Sequence, residues 1–227
     1  MMQIDLVIFD MAGTTVDDAD AVNQCFHAAL AAAGLPVSDE AIKEMRGLAR
    51  PEAIRRLIEQ SEKSEELASQ VNAIHADFVA RMIHFCQTDP AVCEIPGATA
   101  TFSRLRKRGI KVALNSGFNR NVMNALLERL GWNRSDLINA TIASDEVKRA
   151  RPHPDMIQAV MKKVFVRDAR RVAKVGDTPA DLLEGANAGC EVIIGVTGGT
   201  HTREQLEFFP HSHLIESVAE VPAVLGL

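Results

Sequence analysis

Leu6-Val7-Ile8-Phe9-Asp10-Met11-Ala12-Gly13-Thr14-Thr15 is the stretch from which the fold is read. Its first four residues are branched or aromatic, and a polar turn follows at once. An unbroken apolar run closed by turn signals reads as a strand buried on both faces. Three further runs have the same form. Lys111-Val112-Ala113-Leu114 leads into Asn115-Ser116-Gly117, Arg171-Val172-Ala173-Lys174-Val175 into Gly176-Asp177, and Glu191-Val192-Ile193-Ile194-Gly195-Val196 into Thr197-Gly198-Gly199. A weaker strand, Ala140-Thr141-Ile142-Ala143, ends at Ser144-Asp145. Helical patterns alternate with these strands over 99–108, 120–130, 154–164 and 179–188, and Gly109, Gly131 and Gly189 stand where three of them stop. Such alternation predicts an α/β, Rossmann-like parallel sheet with helices on both faces.

Residues 17–92 contain no convincing strand. Helices are expected at 19–33, from Ser38 to Met45, at 51–60 and at 65–85. Ile95-Pro96-Gly97 marks the return to the sheet. The expected organisation is therefore an α/β core formed by 1–16 and 93–227, with an all-helical unit, 17–92, inserted after the first strand. A length of 227 residues suits such a chain, and no repeat or low-complexity segment is seen.

The net charge is −5, without a dense Lys/Arg run, so a nucleic-acid footprint is absent at this level. Cys25, Cys86, Cys93 and Cys190 show neither C-x-x-C nor zinc-ligand spacing, which predicts reduced, mostly buried thiols. No apolar run reaches membrane-spanning length, and the N-terminal residues do not read as a leader. No membrane association is expected, and the expected location is the cytoplasm.

Ligands of open parallel sheets bind at the carboxyl ends of the strands. Here those ends carry Asp10, Asn115-Ser116 and Gly176-Asp177. One such Asp would read as a helix cap, whereas three polar endings on three apolar strands read as a site. Asp10, Asp177 and Asp181 offer hard oxygen ligands of the kind Mg²⁺ takes beside a phosphate. A carboxylate can also attack phosphorus and form an aspartyl-phosphate. Two anions must then meet, which calls for a cation: Arg151, or Lys148 as the fallback. Ser116 and the turn residues Gly13, Thr14, Asn115 and Gly117 are expected to bind the substrate's phosphoryl oxygens.

Asp10-Met11-Ala12-Gly13-Thr14, the Asn115-Ser116 ending, Arg151-Pro152-His153-Pro154 and Gly176-Asp177-Thr178-Pro179-Ala180-Asp181 resemble, in order and context, the four motifs of the haloacid dehalogenase superfamily. The resemblance covers nearly the whole chain. It implies Mg²⁺-dependent hydrolysis, with the helical insert as a cap over the site. Within the superfamily the likeness is to the phosphonatase branch, phosphonoacetaldehyde hydrolase. Two residues carry it: Ala12, where ordinary superfamily phosphatases have a second Asp, and Arg151 in place of the more usual Lys. The likeness implies Asp10 as nucleophile and metal ligand, the Ala12 carbonyl and Asp177 as further metal ligands, and Asp181 as ligand directly or through water. It implies Ser116 and Arg151 as the groups that position the phosphoryl, and a homodimer through the cap.

The sequence departs from that branch in one place. Phosphonatase forms a Schiff base on a cap lysine in Gly-Leu-Leu-Lys, which aligns with Gly47-Leu48-Ala49-Arg50. A guanidinium stays protonated and is a poor nucleophile. Lys43 is the only lysine nearby. Arg46, Gly47 and Arg50 are expected to meet the substrate's anionic or carbonyl end. Ala12 removes an acid–base carboxylate that is worth roughly 100- to 10,000-fold. A good leaving group, a cap residue such as Arg50, His27 or His84, or slow turnover would account for its loss. The expected function is phosphoryl transfer from a small phosphonate or phosphate ester to Asp10. The alternatives are an organic-phosphate phosphatase or phosphomutase, and a weakly catalytic protein that binds phosphorylated metabolites. In the tail, Leu206, Phe208, Phe209 and Trp132 are expected to pack, and 197–202 to turn near the site.

Overall fold

The computed structural model describes residues 3–227. The run Leu6–Phe9 forms β1, and the chain then makes a two-residue strand, β2 (Val16–Asp17). Five helices follow: α1 (Ala21–Ala32), α2 (Asp39–Met45), α3 (Arg50–Glu59), α4 (Ser64–Leu67) and α5 (Val71–Thr88). A second two-residue strand, β3 (Cys93–Glu94), pairs antiparallel with β2 through Val16↔Glu94 and Asp17↔Cys93. The rest alternates as α6 (Ala98–Lys107), β4 (Lys111–Ser116), α7 (Arg120–Arg129), β5 (Ala140–Ala143), α8 (Asp155–Lys163), β6 (Val172–Gly176), α9 (Pro179–Ala188) and β7 (Val192–Val196). It closes with α10 (Arg203–Leu206), β8 (His213–Ile215) and α11 (Val221–Val224).

The main sheet has six strands in the order β5-β4-β1-β6-β7-β8, and every pair is parallel. The first strand is central because its side chains are apolar on both faces. Val7 and Phe9 belong to the core layer beneath α6, α7 and the helical insert, while Leu6 and Ile8 belong to the layer beneath α8 and α9. Phe9 is the register partner of both Leu114 and Val175, which brings Asp10, Asn115 and Gly176 level at one edge.

The layer beneath the insert is continuous with the insert's own core. Phe9, Phe102 and Trp132 form an aromatic chain with ring centroids 5.2 Å apart at each step. Phe26 and Phe78 stack at 4.7 Å between α1 and α5. Such pairs add about 0.5–1.5 kcal/mol each beyond their burial. Local signals fix the helix ends. Ser38 Oγ accepts from Ala41 N to start α2, and Thr178 Oγ1 accepts from Asp181 N to start α9, which ends at left-handed Gly189.

The structure refines several expectations. The helix expected over 65–85 is two, joined by a tight turn at Ala68–Gln70 that nothing in the local sequence marks. Strand β4 runs through Asn115 and Ser116, because Ile142 and Ala143 of β5 pair with them. Cys25, Cys86 and Cys190 are buried free thiols, and Cys93 is an exposed one. Leu206 and Trp132 pack as expected, but Phe208 is 87% exposed, so that expectation is corrected: the short helix α10 turns Leu206 inward and leaves Phe208 outside. No helix among the described residues is long and apolar enough to cross a membrane.

Candidate active site

Asp10 stands at the tip of the central strand, where its N–H donates to Val175 O at 2.9 Å. The chain then coils tightly. Thr14, Thr15 and Val16 all donate to Met11 O, and Gly13 donates to Val16 O. Gly13 has φ +87°, and a side chain there would run into the Asp177 carboxylate. The same coil delivers Thr14 Oγ1 to Asp177 Oδ1 at 2.9 Å. From the far side Thr200 N donates to Asp177 Oδ2 at 2.7 Å, so the 197–202 turn does reach the site. Asp181, in the first turn of α9, receives Thr178 Oγ1 on Oδ2 at 2.6 Å.

Asp10, Asp177 and Asp181 each offer a carboxylate oxygen within 4.8 Å of the others. All three are buried, at 5%, 0% and 0% exposure. Burial pushes Asp10 up to about 6, with Arg151 opposing the shift and Asp181 and Asp177 adding to it. Burial and the Asp181 charge also raise Asp177. For Asp181 burial is outweighed by Arg151 and Lys174, which hold its carboxyl below the usual range. Three carboxylates this close, two of them resisting ionisation, are a donor set suited to a hard divalent cation.

Arg151 is the cation that the sequence pointed to, while Lys148 is exposed. Its guanidinium is surrounded. Nη1 lies 2.6 Å from Asp10 Oδ1 and 3.0 Å from Asp181 Oδ1, Nε 3.1 Å from Glu184 Oε2, and Nη2 2.8 and 2.6 Å from Asn115 O and Oδ1. Four of these contacts are hydrogen bonds, while the one to Asp181 Oδ1 is an ion pair, that oxygen having no hydrogen-bond partner. Burial disfavours its charge, but Asp181, Asp10 and Glu184 together hold it well above its ordinary value.

The structure separates the expected substrate-binding residues into two groups. Ser116 Oγ accepts from Phe118 N at 3.2 Å, which leaves its proton to donate elsewhere. Among the described residues the N–H groups of Met11, Ala12 and Gly117 have no hydrogen-bond partner. The N–H groups of Gly13 and Thr14 are engaged within the coil, the Thr14 hydroxyl is engaged on Asp177, and the Asn115 side chain lies inside the buried charge network. These three shape the site from behind.

The insert contributes Arg46, Gly47 and Arg50, all buried. Arg50 N donates to Gly117 O at 3.3 Å, and a Cβ at Gly117 would collide with Leu48 O, so the Gly47-Leu48 turn lies directly on the end of β4. The Arg50 guanidinium stacks 4.5 Å from the Phe118 centroid, donates Nη1 to Leu48 O at 2.9 Å, and leaves Nε unpartnered. Arg46 reaches Asn23 Oδ1 at 3.2 Å and faces Asp18 at 3.8 Å. A cavity of about 880 Å³ is lined by Gly13, Asp18, Lys43, Arg46, Thr200 and His201 among others, while Asp10, Ser116 and Arg50 do not line it. His27 is tied to Asp39, and His84 is exposed.

Sequence reading missed Lys174, Glu184, Thr178 and His201 here. The signal for the first was present: a lysine inside an otherwise apolar strand must find a buried partner.

A parallel sheet with an acidic triad at its strand tips, opposite a buried arginine and beneath a helical insert, defines the class. The chain belongs to the haloacid dehalogenase-like hydrolases, whose family model matches residues 4–189. It is 29% identical to phosphonoacetaldehyde hydrolase from Bacteroides fragilis, over 97% of this chain and 88% of that protein. It is 31% identical to a Dickeya dadantii protein named Probable phosphatase IndB, over 95% of this chain and 91% of that one. In fold it is similar to a phosphonoacetaldehyde hydrolase-like protein from Oleispira antarctica, with a TM-score of 0.84, 24% identity, and coverage of 99% and 92% of the two chains. CbbY from Rhodobacter sphaeroides shares the fold at a TM-score of 0.80 and 20% identity, over 99% of this chain and 100% of that one.

Proposed function

We propose that this hydrolase transfers the phosphoryl group of a small phosphonate or phosphate ester to Asp10, and that water then hydrolyses the aspartyl-phosphate. The observation that carries the reading is the Asp10 carboxylate, buried and aligned by Arg151 Nη1 at 2.6 Å, inside a carboxylate triad. The attacking carboxylate oxygen forms the new O–P bond as the bond from phosphorus to the leaving group breaks. In the second step water replaces Asp10 on phosphorus and releases phosphate.

The residues fit Mg²⁺: Asp10, Asp177 and the Ala12 carbonyl would hold it, with Asp181 in support, and it would offset the repulsion between the carboxylate and the phosphoryl anion. Ser116 Oγ and the free N–H groups of Met11, Ala12 and Gly117 are the donors for phosphoryl oxygens. Arg151, whose contacts are with the protein, acts by orienting Asp10 and by its charge.

In this reading 17–92 is a cap that lifts from the core of 1–16 and 93–227 to admit substrate and closes through the Gly47-Leu48 contact with Gly117. Arg50 and Arg46 then meet the substrate's remote end, and Arg50 stands where a Schiff-base lysine would be required to cleave phosphonoacetaldehyde by that route. Pairing of two chains through the cap would use polar surface, since the large exposed hydrophobic side chains, Phe165 and Phe208, lie on the core.

A phosphate-ester substrate is the second form of the reading, favoured by likeness to the phosphatase-named relative. Ala12 counts against an ordinary phosphatase and a mutase alike, because each uses the acid–base carboxylate missing there. The deciding experiment is ¹⁹F NMR of the protein with beryllofluoride and Mg²⁺. An adduct on Asp10, together with phosphate release from a panel of phosphonates and phosphate esters, is the expected result. Neither adduct nor release would leave a binding protein in its place.

A further inference from the structure

Lys174 and Glu184 make no hydrogen bond or ion pair with Asp10 or Ser116, yet both are fully buried beside them. Lys174 is the register partner of Ile8, two residues before Asp10 on the neighbouring strand. It shares a sheet face with Val172, toward α8 and α9. Its Nζ lies 2.8 Å from Asp181 Oδ1, 2.8 Å from Asn115 Oδ1 and 3.4 Å from Glu184 Oε2. Glu184 accepts from Arg151 Nε at 3.1 Å and, with both oxygens, from Asn115 Nδ2 at 2.9 Å. Helix α9 makes room for the lysine stem with Gly185, where a Cβ would stand 3.1 Å from Lys174 Cβ.

Packing does not explain this pair. Each buried ion costs several kcal/mol in lost hydration, and apolar replacement of a buried ion set is often neutral or stabilising. The neighbouring positions Val172, Ala173 and Val175 show what packing asks of β6. The partners of the pair do explain it, because Arg151 Nη1 faces two carboxylates at once, Asp10 at 2.6 Å and Asp181 at 3.0 Å. Lys174 is the second cation facing Asp181 Oδ1, as an ion pair at 2.8 Å, which lets Nη1 favour Asp10. Glu184, bonded to Nε, sets the plane in which Nη1 points.

We infer that Lys174 and Glu184 are positioning residues for the Asp10 site: Glu184 fixes the orientation of Arg151, and Lys174 holds Asp181 so that it does not draw Arg151 away from Asp10. The inference rests on the phosphoryl-transfer reading above. Without Glu184 the guanidinium loses the acceptor that stops it rotating. Without Lys174 the Asp181 carboxylate turns to Arg151 alone, and Asp10 loses its alignment.

The test compares the full-length parent with Lys174→Met, Glu184→Gln and the charge-balanced double variant. The readouts are kcat and KM with p-nitrophenyl phosphate, beryllofluoride affinity at Asp10 by ¹⁹F NMR with Mg²⁺, and the thermal midpoint. Small displacements of reacting groups cost on the order of 100-fold in rate. Each single variant is therefore expected to lose roughly 10- to 100-fold in kcat, with KM within about threefold of the parent, and at least roughly tenfold in beryllofluoride affinity. The double variant, with the parent's net buried charge, is expected to recover the parent's thermal midpoint while its kcat stays low. If Lys174→Met does not fold, the double variant and Glu184→Gln carry the same test. Recovery of kcat with stability in the double variant, or singles whose kcat and adduct affinity equal the parent's, would overturn the inference. A parent that forms no adduct and releases no phosphate overturns the phosphoryl-transfer reading itself, and the positioning roles fall with it.

Discussion

The strand tips and the helical insert treat charge in opposite ways. At the tips opposite charges face one another: Arg151 meets Asp10, Asp181, Glu184 and Asn115, Asp177 takes Thr14 and Thr200, and Asp181 meets Thr178 and Lys174, although Asp181 Oδ1 and His201 Nδ1 make no hydrogen bond. In the insert, Arg50 Nε and His75 Nε2 are buried without partners, and Arg46 has only a 3.2 Å contact and a 3.8 Å one. A group whose partners are all present is held in one place, which chemistry at a fixed phosphorus requires. A buried donor without a partner is costly until something fills it, which suits the selection of a ligand. The contrast predicts that core substitutions reach kcat and the metal, whereas insert substitutions reach KM and substrate choice.

The largest effect tests the core half. Asp10→Asn replaces the attacking carboxylate with a neutral, weakly nucleophilic amide and is expected to lower kcat at least roughly 1,000-fold, measured as phosphate release; substantial turnover in that variant would end the nucleophile assignment. Asp177→Asn removes a proposed ligand and is expected to weaken Mg²⁺ binding about 100-fold by calorimetry, while Arg50→Ala leaves that affinity within about twofold.

Proton linkage gives a third comparison. Burial raises the folded-state pKa of Asp10 from 3.8 to about 6, so ionisation of this group without metal opposes folding. Its contribution to stability is full below about pH 4 and is lost as pH rises through 6. Metal-free Asp10→Asn is therefore expected to be more stable than the parent at pH 8, by about 3 kcal/mol at most, with the gap closing below pH 4. By the same sign, Mg²⁺ affinity in the parent falls as pH drops below 6, by up to about tenfold per unit. Denaturant melts and titrations at pH 5 and 8 check both.

The two smaller effects test the insert half. Gly117→Ala forces Leu48 away from the end of β4. Overpacking of this kind costs about 1–3 kcal/mol, here expected as a roughly tenfold drop in kcat/KM with metal affinity retained. Arg50→Lys is expected to change relative rates across a substrate panel, moving them toward phosphonoacetaldehyde, with beryllofluoride adduct formation unchanged; an identical panel profile would count against contact between Arg50 and substrate.

Most of the sheet was legible because its strands are apolar on both faces and end in turn chemistry; β1 and β5 fall on the expected residues. The acidic triad was legible for the same reason, since each member follows a strand end or opens a helix. Strand β8 is three residues at the sheet edge, and β2 and β3 are two each, too short to show any period. The hydrogen-bond partners of Thr14 and Asn115 were not legible either. Both sit at the right strand ends, but which way a hydroxyl or amide turns depends on partners such as Asp177 and Glu184, 163 and 69 residues away.

The paired strands β2 and β3 have a consequence for how the protein can be rebuilt. Val16 lies opposite Glu94 and Asp17 opposite Cys93, so the chain leaves the sheet and returns to it at one spot. To the sheet, everything between is a single closed excursion, long in sequence but with almost no span to bridge. A different helical module of another length, joined at those two residues, would leave every strand connection as it is. What such a module must reproduce is the apolar face that α5 lays on α7.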